Sequence, residues 1–135
     1  MKDWENNLDL LIRARTPLIL IRSSEELRVE ELLEQSAKRM NPRRLVVWDY
    51  INGIKGAINS PGLGASQPMA VLQLLQKIDS DNPTTLLLKD FHRFCEDPGI
   101  ARMLKNLSID LRKTSHNIVL CSGNWLPPND FDEAL

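Results

Sequence analysis

Residues 17 to 29 read Pro17-Leu18-Ile19-Leu20-Ile21-Arg22-Ser23-Ser24-Glu25-Glu26-Leu27-Arg28-Val29, and the fold class turns on them. Four consecutive aliphatic residues after a proline form the pattern of a short strand whose sheet is covered on both faces. Ser23 stands three residues before Glu26, the spacing of a capping box, and predicts a helix from about Ser24 to Met40. Along that helix Val29, Leu32, Leu33, Ala37 and Met40 fall on one stripe at steps of three and four, and Asn41-Pro42 supplies the stop. A buried strand running directly into an amphipathic helix is the opening of a βαβ unit.

The same alternation continues on both sides. Upstream, Trp4, Leu8, Leu11 and Ile12 have helical spacing that ends before Pro17. Downstream, Leu45 to Trp48 predicts a second strand, and Val71, Leu74, Leu75 and Ile78 a third helix. Thr84 to Lys89 predicts a third strand. Asp97 caps a helix with Pro98 at its first position, its inner face lined by Ile100, Met103, Leu104, Leu107 and Leu111, with Arg112 and Lys113 near its negative end. Asn117 to Cys121 predicts a fourth strand. Between the second strand and third helix, Asn52 to Pro68 holds four glycines and two prolines and reads as a surface loop. Right-handed crossovers between such elements give one α/β domain over residues 1–135, a three-layer sandwich around a mainly parallel sheet of at least four strands.

Composition excludes several classes. The 135 residues are 42% hydrophobic and 26% charged, the balance of an ordinary globular domain. Seventeen Lys and Arg against eighteen Asp and Glu leave a net charge of −1, with no global field to hold nucleic acid or an anionic membrane. Two distant cysteines imply no disulfide framework, and a reducing cytoplasm is the expected compartment. The acidic amino terminus lacks the basic start and apolar core of a secretory signal, and the apolar runs are too short to span a bilayer.

Ligands of open parallel sheets bind beyond the carboxyl ends of the strands, here marked by Arg22, Asp49, Asp90 and Ser122. A phosphate site after the first strand needs glycines, free backbone N–H groups and a lysine. The segment Arg22 to Arg28 has no glycine and no lysine, and Glu25 and Glu26 take the positive helix end that a phosphate would use. The third strand ends in Asp90 as a magnesium-binding strand does, with a cap or a salt bridge to Arg93 or Arg22 as the plainer role. Phe91 follows, where an ATPase of the AAA+ type carries a water-activating glutamate. A residual nucleotide or metal site would therefore draw on Asp90, Arg22, Lys89 and Asn124.

His92, Cys95, His116 and Cys121 invite a zinc reading, but an extended Asn117 to Cys121 separates His116 from Cys121 by roughly 16 Å. Cys121 is expected as a small buried hydrophobe, and Cys95 with His92 lacks a group to orient a nucleophile. Trp48, Trp125, Phe91 and Phe94 are expected in packing, and Trp125, if exposed, is with His92 and Arg93 a candidate for contact with a partner. Arg13, Arg15, Arg43 and Arg44 lack interleaved aromatics for stacking bases and are expected as solvated surface.

The stretches LDLLIRARTPLILIRSSEELRVEELL (8–33), RRLVVWDYINGI (43–54), LLLKDFHRFCEDPGIARMLKNL (86–107) and HNIVLCSGNWLPPNDF (116–131) together resemble the amino-terminal domain of a cyanobacterial and red-plastid AAA+ ATPase family called hypothetical chloroplast reading frame forty-six. Lys89-Asp90-Phe91-His92-Arg93-Phe94 followed by Asp97 is the most specific part. The resemblance implies a degenerate AAA-like or RecA-like P-loop fold preceding a competent ATPase module. It also implies a role in regulating photosynthetic carbon dioxide use, in the cytoplasm or a plastid stroma. The Walker motifs, sensors and arginine finger belong to the later module and map onto no residue here. This chain is thus expected to be a fragment without catalytic residues or cofactor, working with a protein partner or the following module. The family domain continues into a further strand beside the first, so Leu18 to Ile21 is expected as an unpaired edge open to self-association.

Overall fold

The computed structural model describes residues 3–40, 42–56, 67–123, 125 and 132–133. In chain order the elements are α1 (Asp3–Arg13), β1 (Leu18–Arg22), α2 (Glu26–Arg39), β2 (Arg44–Asp49), β3 (Gly53–Gly56), α3 (Pro68–Gln76), β4 (Thr84–Lys89), α4 (Pro98–Asp110), β5 (Asn117–Ser122) and β6 (Asp132–Glu133). The sheet order is β3-β2-β4-β5-β1-β6, with every pairing parallel except the β2–β3 hairpin.

Each central strand is apolar on both faces because both faces are covered. Leu18, Leu20, Val46, Trp48, Leu86, Leu88, Ile118 and Leu120 point toward α3 and α4, where Val71, Leu72, Leu75, Ile100, Leu104 and Leu107 meet them. The alternate residues Ile19, Ile21, Val47, Leu87, Val119 and Cys121 point the other way, onto Leu8 and Ile12 of α1 and Val29 and Leu33 of α2. This is the expected three-layer sandwich. The four aliphatic residues of β1 are at most 1% exposed, and at about 1.5–3 kcal/mol each their gross burial rivals a domain's whole net stability.

Helix ends follow local chemistry. The Asp97 carboxylate accepts from the Ile100 amide at 3.0 Å, and Pro98 opens α4 as the sequence predicts. The helix ends at Asp110, and Leu111–Lys113 continues as a 3-10 turn. Beyond α1, Thr16 N–H donates to Leu11 O and Arg15 N–H to Ile12 O, a Schellman closure that sets Arg15 at φ 62°. Glycine takes that conformation freely; arginine takes it at a cost of about 1 kcal/mol.

Three expectations are corrected. The capping box at Ser23 and Glu26 does not form: α2 is capped by Glu25 without a side-chain bond, and the Ser23 hydroxyl accepts from the Glu25 amide at 3.0 Å, too early in the turn to reach the helix. The loop predicted from Asn52 begins instead with β3, because Gly53 at φ 70° turns the chain back after Tyr50-Ile51-Asn52; residues 57–66 lie outside the described residues. Finally, β1 is not an edge. Ile19 and Leu20 pair with Asp132 and Glu133, so the row of backbone groups expected to invite a second copy of the chain is occupied in part by β6.

Candidate functional site

The carboxyl ends of β2 and β4 and the start of α2 enclose a cleft of about 390 Å³ lined by Glu26, Asp49, Tyr50, Ile51, Lys89, Asp90, Arg93 and Phe94. It is the place where an open parallel sheet holds its ligand. Of the sequence candidates, Lys89, Asp90 and Arg93 reach it. Arg22 ends β1 in register with Ser122 rather than among the lining residues, and Asn124 lies outside the described residues.

Lys89 is held away from any phosphate by Glu30, a residue of α2 whose carboxylate accepts from its ammonium at 2.7 Å; the two side chains are 16% and 11% exposed. Lys55 of β3 adds a second cation to Glu30 at 3.7 Å. The Lys89 hydrogen bond, opposed by burial and reinforced by the charges of Lys89 and Lys55, holds the Glu30 carboxyl below its ordinary value. Burial works against the Lys89 charge, but the hydrogen bond and charge of Glu30, then Glu26 and Asp49, outweigh it and raise its pKa.

Asp49 is also engaged. Its Oδ1 accepts from the amides of Ile51 at 2.9 Å and Asn52 at 2.7 Å, and Oδ2 accepts from Asn52 Nδ2 at 3.1 Å, which closes the hairpin turn. Burial would raise its pKa, but the two Asn52 bonds, the Ile51 amide and Lys89 leave it lowered. Asp90 stands at φ 56°, the left-handed region that aspartate tolerates, at the head of the 3-10 turn Phe91–Phe94, and its side chain makes no capping bond. Phe91, in the place of a water-activating carboxylate, is fully buried and meets Trp48 edge-on at 5.4 Å. The cleft thus presents three carboxylates against two cations, one of them already paired.

The turn after β1 offers little to a phosphate. Ser23 N–H donates to Ser122 O at 3.1 Å and Glu25 N–H to Ser23 Oγ at 3.0 Å, so two of the amides that would face an anion are bound within the protein.

The thiols and imidazoles are dispersed. His92 Nδ1 shares a 2.7 Å bond with Ser122 Oγ, His116 Nε2 bonds Ile78 O at 2.9 Å, and the sulfurs of Cys95 and Cys121 lie 3.5 Å and 3.4 Å from the carbonyls of Phe91 and Ser23. Burial pushes the Cys95 thiol up to about 11; burial, then Glu26 and Asp90, do the same to Cys121. Among the described residues no group of three His, Cys, Asp or Glu could hold a metal ion. Trp125 is half-buried against the core, its ring 6.1 Å from that of His92. Sequence reasoning missed Glu30 and Lys55, whose pairing with Lys89 joins three elements, and the exposed Tyr50 and Ile51, 51% and 85% accessible. The Asn52-Gly53 pair after a strand was the available signal for their hairpin.

No helix among the described residues is long and apolar enough to cross a membrane. A family model described as the SpoVK-like AAA ATPase, N-terminal domain, matches residues 4–135. The uncharacterized AAA domain-containing protein ycf46 of Trieres chinensis is 32% identical over 132 residues, 98% of this chain and 27% of that protein. The ycf46 protein of Guillardia theta is 32% identical over 126 residues, 93% of this chain and 25% of its own length. The chain therefore spans about a quarter of the length of these relatives. With that match over nearly its whole length, joined to a mostly parallel α/β sheet, the chain belongs to the SpoVK-like AAA ATPase N-terminal domain family.

Proposed function

We propose that this chain is a non-catalytic regulatory and protein-interaction domain, a single unit that works beside an ATPase module in a longer protein. The observation that carries the reading is the turn after β1: the Ser23 and Glu25 amides are bound internally, and Glu25 and Glu26 supply negative charge where a triphosphate needs donors. The internal pairing of Lys89 with Glu30 supports it further. Exposed Tyr50 and Ile51 at the mouth of the cleft, with Leu27 75% exposed on the next residue after Glu26, supply apolar contact for a protein partner or the ATPase module. The resemblance extends the proposal to regulation of photosynthetic carbon dioxide use, in the cytoplasm or a plastid stroma.

Titration calorimetry with ATP and magnesium is the direct test. No heat of binding is expected from this chain, and a saturable micromolar site would overturn the reading. In the longer protein, Tyr50→Ser with Ile51→Ser should change ATP turnover without changing the melting of this domain. A second reading keeps a weak nucleotide or cation site at Asp90, whose carboxylate opens on the cleft without a capping bond. It requires ligand-dependent thermal stabilisation that Asp90→Ala abolishes.

A further inference from the structure

The pole of the sheet opposite the cleft carries a second surface. There Lys38, in the last turn of α2, and Arg43, just before β2, line one shallow cleft, and Arg15, just after α1, is near enough for its charge to act on Arg43. Arg43 is half-buried, and its Nη1 donates to Thr85 Oγ1 at 3.2 Å and Asn117 Oδ1 at 2.8 Å, both neutral acceptors. Asn117 is itself fixed, donating from Nδ2 to Thr16 O at 2.8 Å. The guanidinium is thereby oriented by two strands, β4 and β5, without being neutralised. Among the described residues, the ion pair of this pole is Arg39 with Asp9, and Arg43 shares its cleft with Glu34 without forming an ion pair to it.

Two features set this apart from a solvated basic face. Arg15 occupies the left-handed closing position of α1, where glycine fits without strain, and its charge adds to the burial that already disfavours the Arg43 cation. The buried Nε of Arg44 has no hydrogen-bond partner among the described residues. Like charges brought together, one half-buried and one on a strained backbone, cost stability unless an anion joins them.

We propose that the amino-end pole is a docking surface for an acidic peptide segment of a partner protein, whose carboxylates pair with Arg15 and Arg43. A shallow cleft of about 420 Å³ beside Arg43, lined also by Glu34, Ala37, Lys38 and Leu45, takes the segment's intervening apolar side chain. Guanidinium groups bind a planar carboxylate through two parallel bonds, and a partly desolvated one does so most strongly. Glu34 in the wall opposes a dianionic phosphate more than a single carboxylate, and among the described residues no aromatic ring lines the cleft to stack a base, so a peptide fits better than a nucleotide or nucleic acid. The proposal concerns a different face from the cleft at the carboxyl ends and stands without it.

The test is fluorescence anisotropy with a rhodamine-labelled peptide of alternating aspartate and leucine, titrated with the wild-type chain at low salt. Saturable binding is expected, weakened at least about tenfold by Arg15→Ser with Arg43→Gln and left unchanged by Arg102→Ser with Lys105→Ser on the exposed face of α4. Because the loss of Arg43 also perturbs the Asn117 network, Arg15→Gly is the decisive single variant: it should melt no lower than wild type, relieved of its backbone strain, yet bind the peptide several-fold more weakly. Undiminished binding by Arg15→Gly would overturn the proposal, as would absence of binding by the wild type. Equal weakening in the α4 variant, or displacement of the peptide by submillimolar inorganic phosphate, would do so as well.

Discussion

Replacing Lys89 by methionine keeps the length of the side chain but strands the Glu30 carboxylate, 11% exposed, with Lys55 at 3.7 Å as its remaining cation. Removing one partner of a fully buried pair costs about 3–5 kcal/mol. Here Lys89 keeps 16% exposure and Lys55 can move closer, so the expected cost is about 2 kcal/mol. At about 2.1 cal/mol/K per residue, a 135-residue chain has an unfolding entropy of roughly 0.3 kcal/mol/K, and the melting temperature should fall by about 7 °C at neutral pH. The pH dependence identifies the cause. Glu30 titrates below its ordinary 4.5, first because of the Lys89 hydrogen bond. A depressed carboxyl pKa contributes stability above the unfolded value, and that contribution disappears as pH falls through the folded one. In circular dichroism melts, the gap between wild type and Lys89→Met should therefore narrow below about pH 4.5, where the stranded carboxyl becomes neutral. Adding Glu30→Gln to the variant should restore more than half of the lost stability at neutral pH. A variant within about 1 °C of wild type at neutral pH, or a gap constant into acid, would refute the assignment of this pair as a buried ionic clasp.

Asp97→Ala removes the bond to the Ile100 amide and should cost about 1 kcal/mol, with faster hydrogen exchange at Ile100; unchanged exchange would show that the first turn of α4 does not rely on the cap. Asn117→Ala takes away bonds to Arg43, Thr85 and Thr16 O at a fully buried position, and about 2–4 kcal/mol should disappear from urea unfolding; a loss below about 1 kcal/mol would mean that the network is replaceable by water. With both thiols raised to about 11 by burial, a thiol reagent at mildly alkaline pH should leave the native chain unlabelled and react fully in denaturant, so rapid native labelling of Cys95 would argue against this packing.

The parallel core was legible because its strands carry continuous aliphatic runs and its helices carry stripes, both local signals set by burial. The remaining elements lack them. In β3, Gly53-Ile54-Lys55-Gly56 offers one apolar side chain between glycines, so composition indicated a loop where pairing with β2 imposed a strand. In β6, Asp132 and Glu133 have poor strand propensity, and the partner groups on Ile19 and Leu20 are what order them. The site was read in outline, since strand ends mark the cleft and the acids after β1 were visible. Its electrostatics were not, because Lys89, Glu30 and Lys55 come from three elements far apart in sequence. Only the fold reveals that the lysine before Asp90 is occupied.

Placing β1 inside the sheet has a consequence for how the chain is made. Its first aliphatic strand leaves the ribosome early, yet Ile19 pairs with Val119, a hundred residues later, and with Asp132 later still. During that interval synthesis exposes Leu18 to Ile21 with neither neighbour present, for several seconds or longer at about 5–20 residues per second. The domain is thus most vulnerable to aggregation before β5 and β6 are translated, and a chaperone that shields Leu18 to Ile21 during that interval should raise its soluble yield more than one that acts once the sheet is complete.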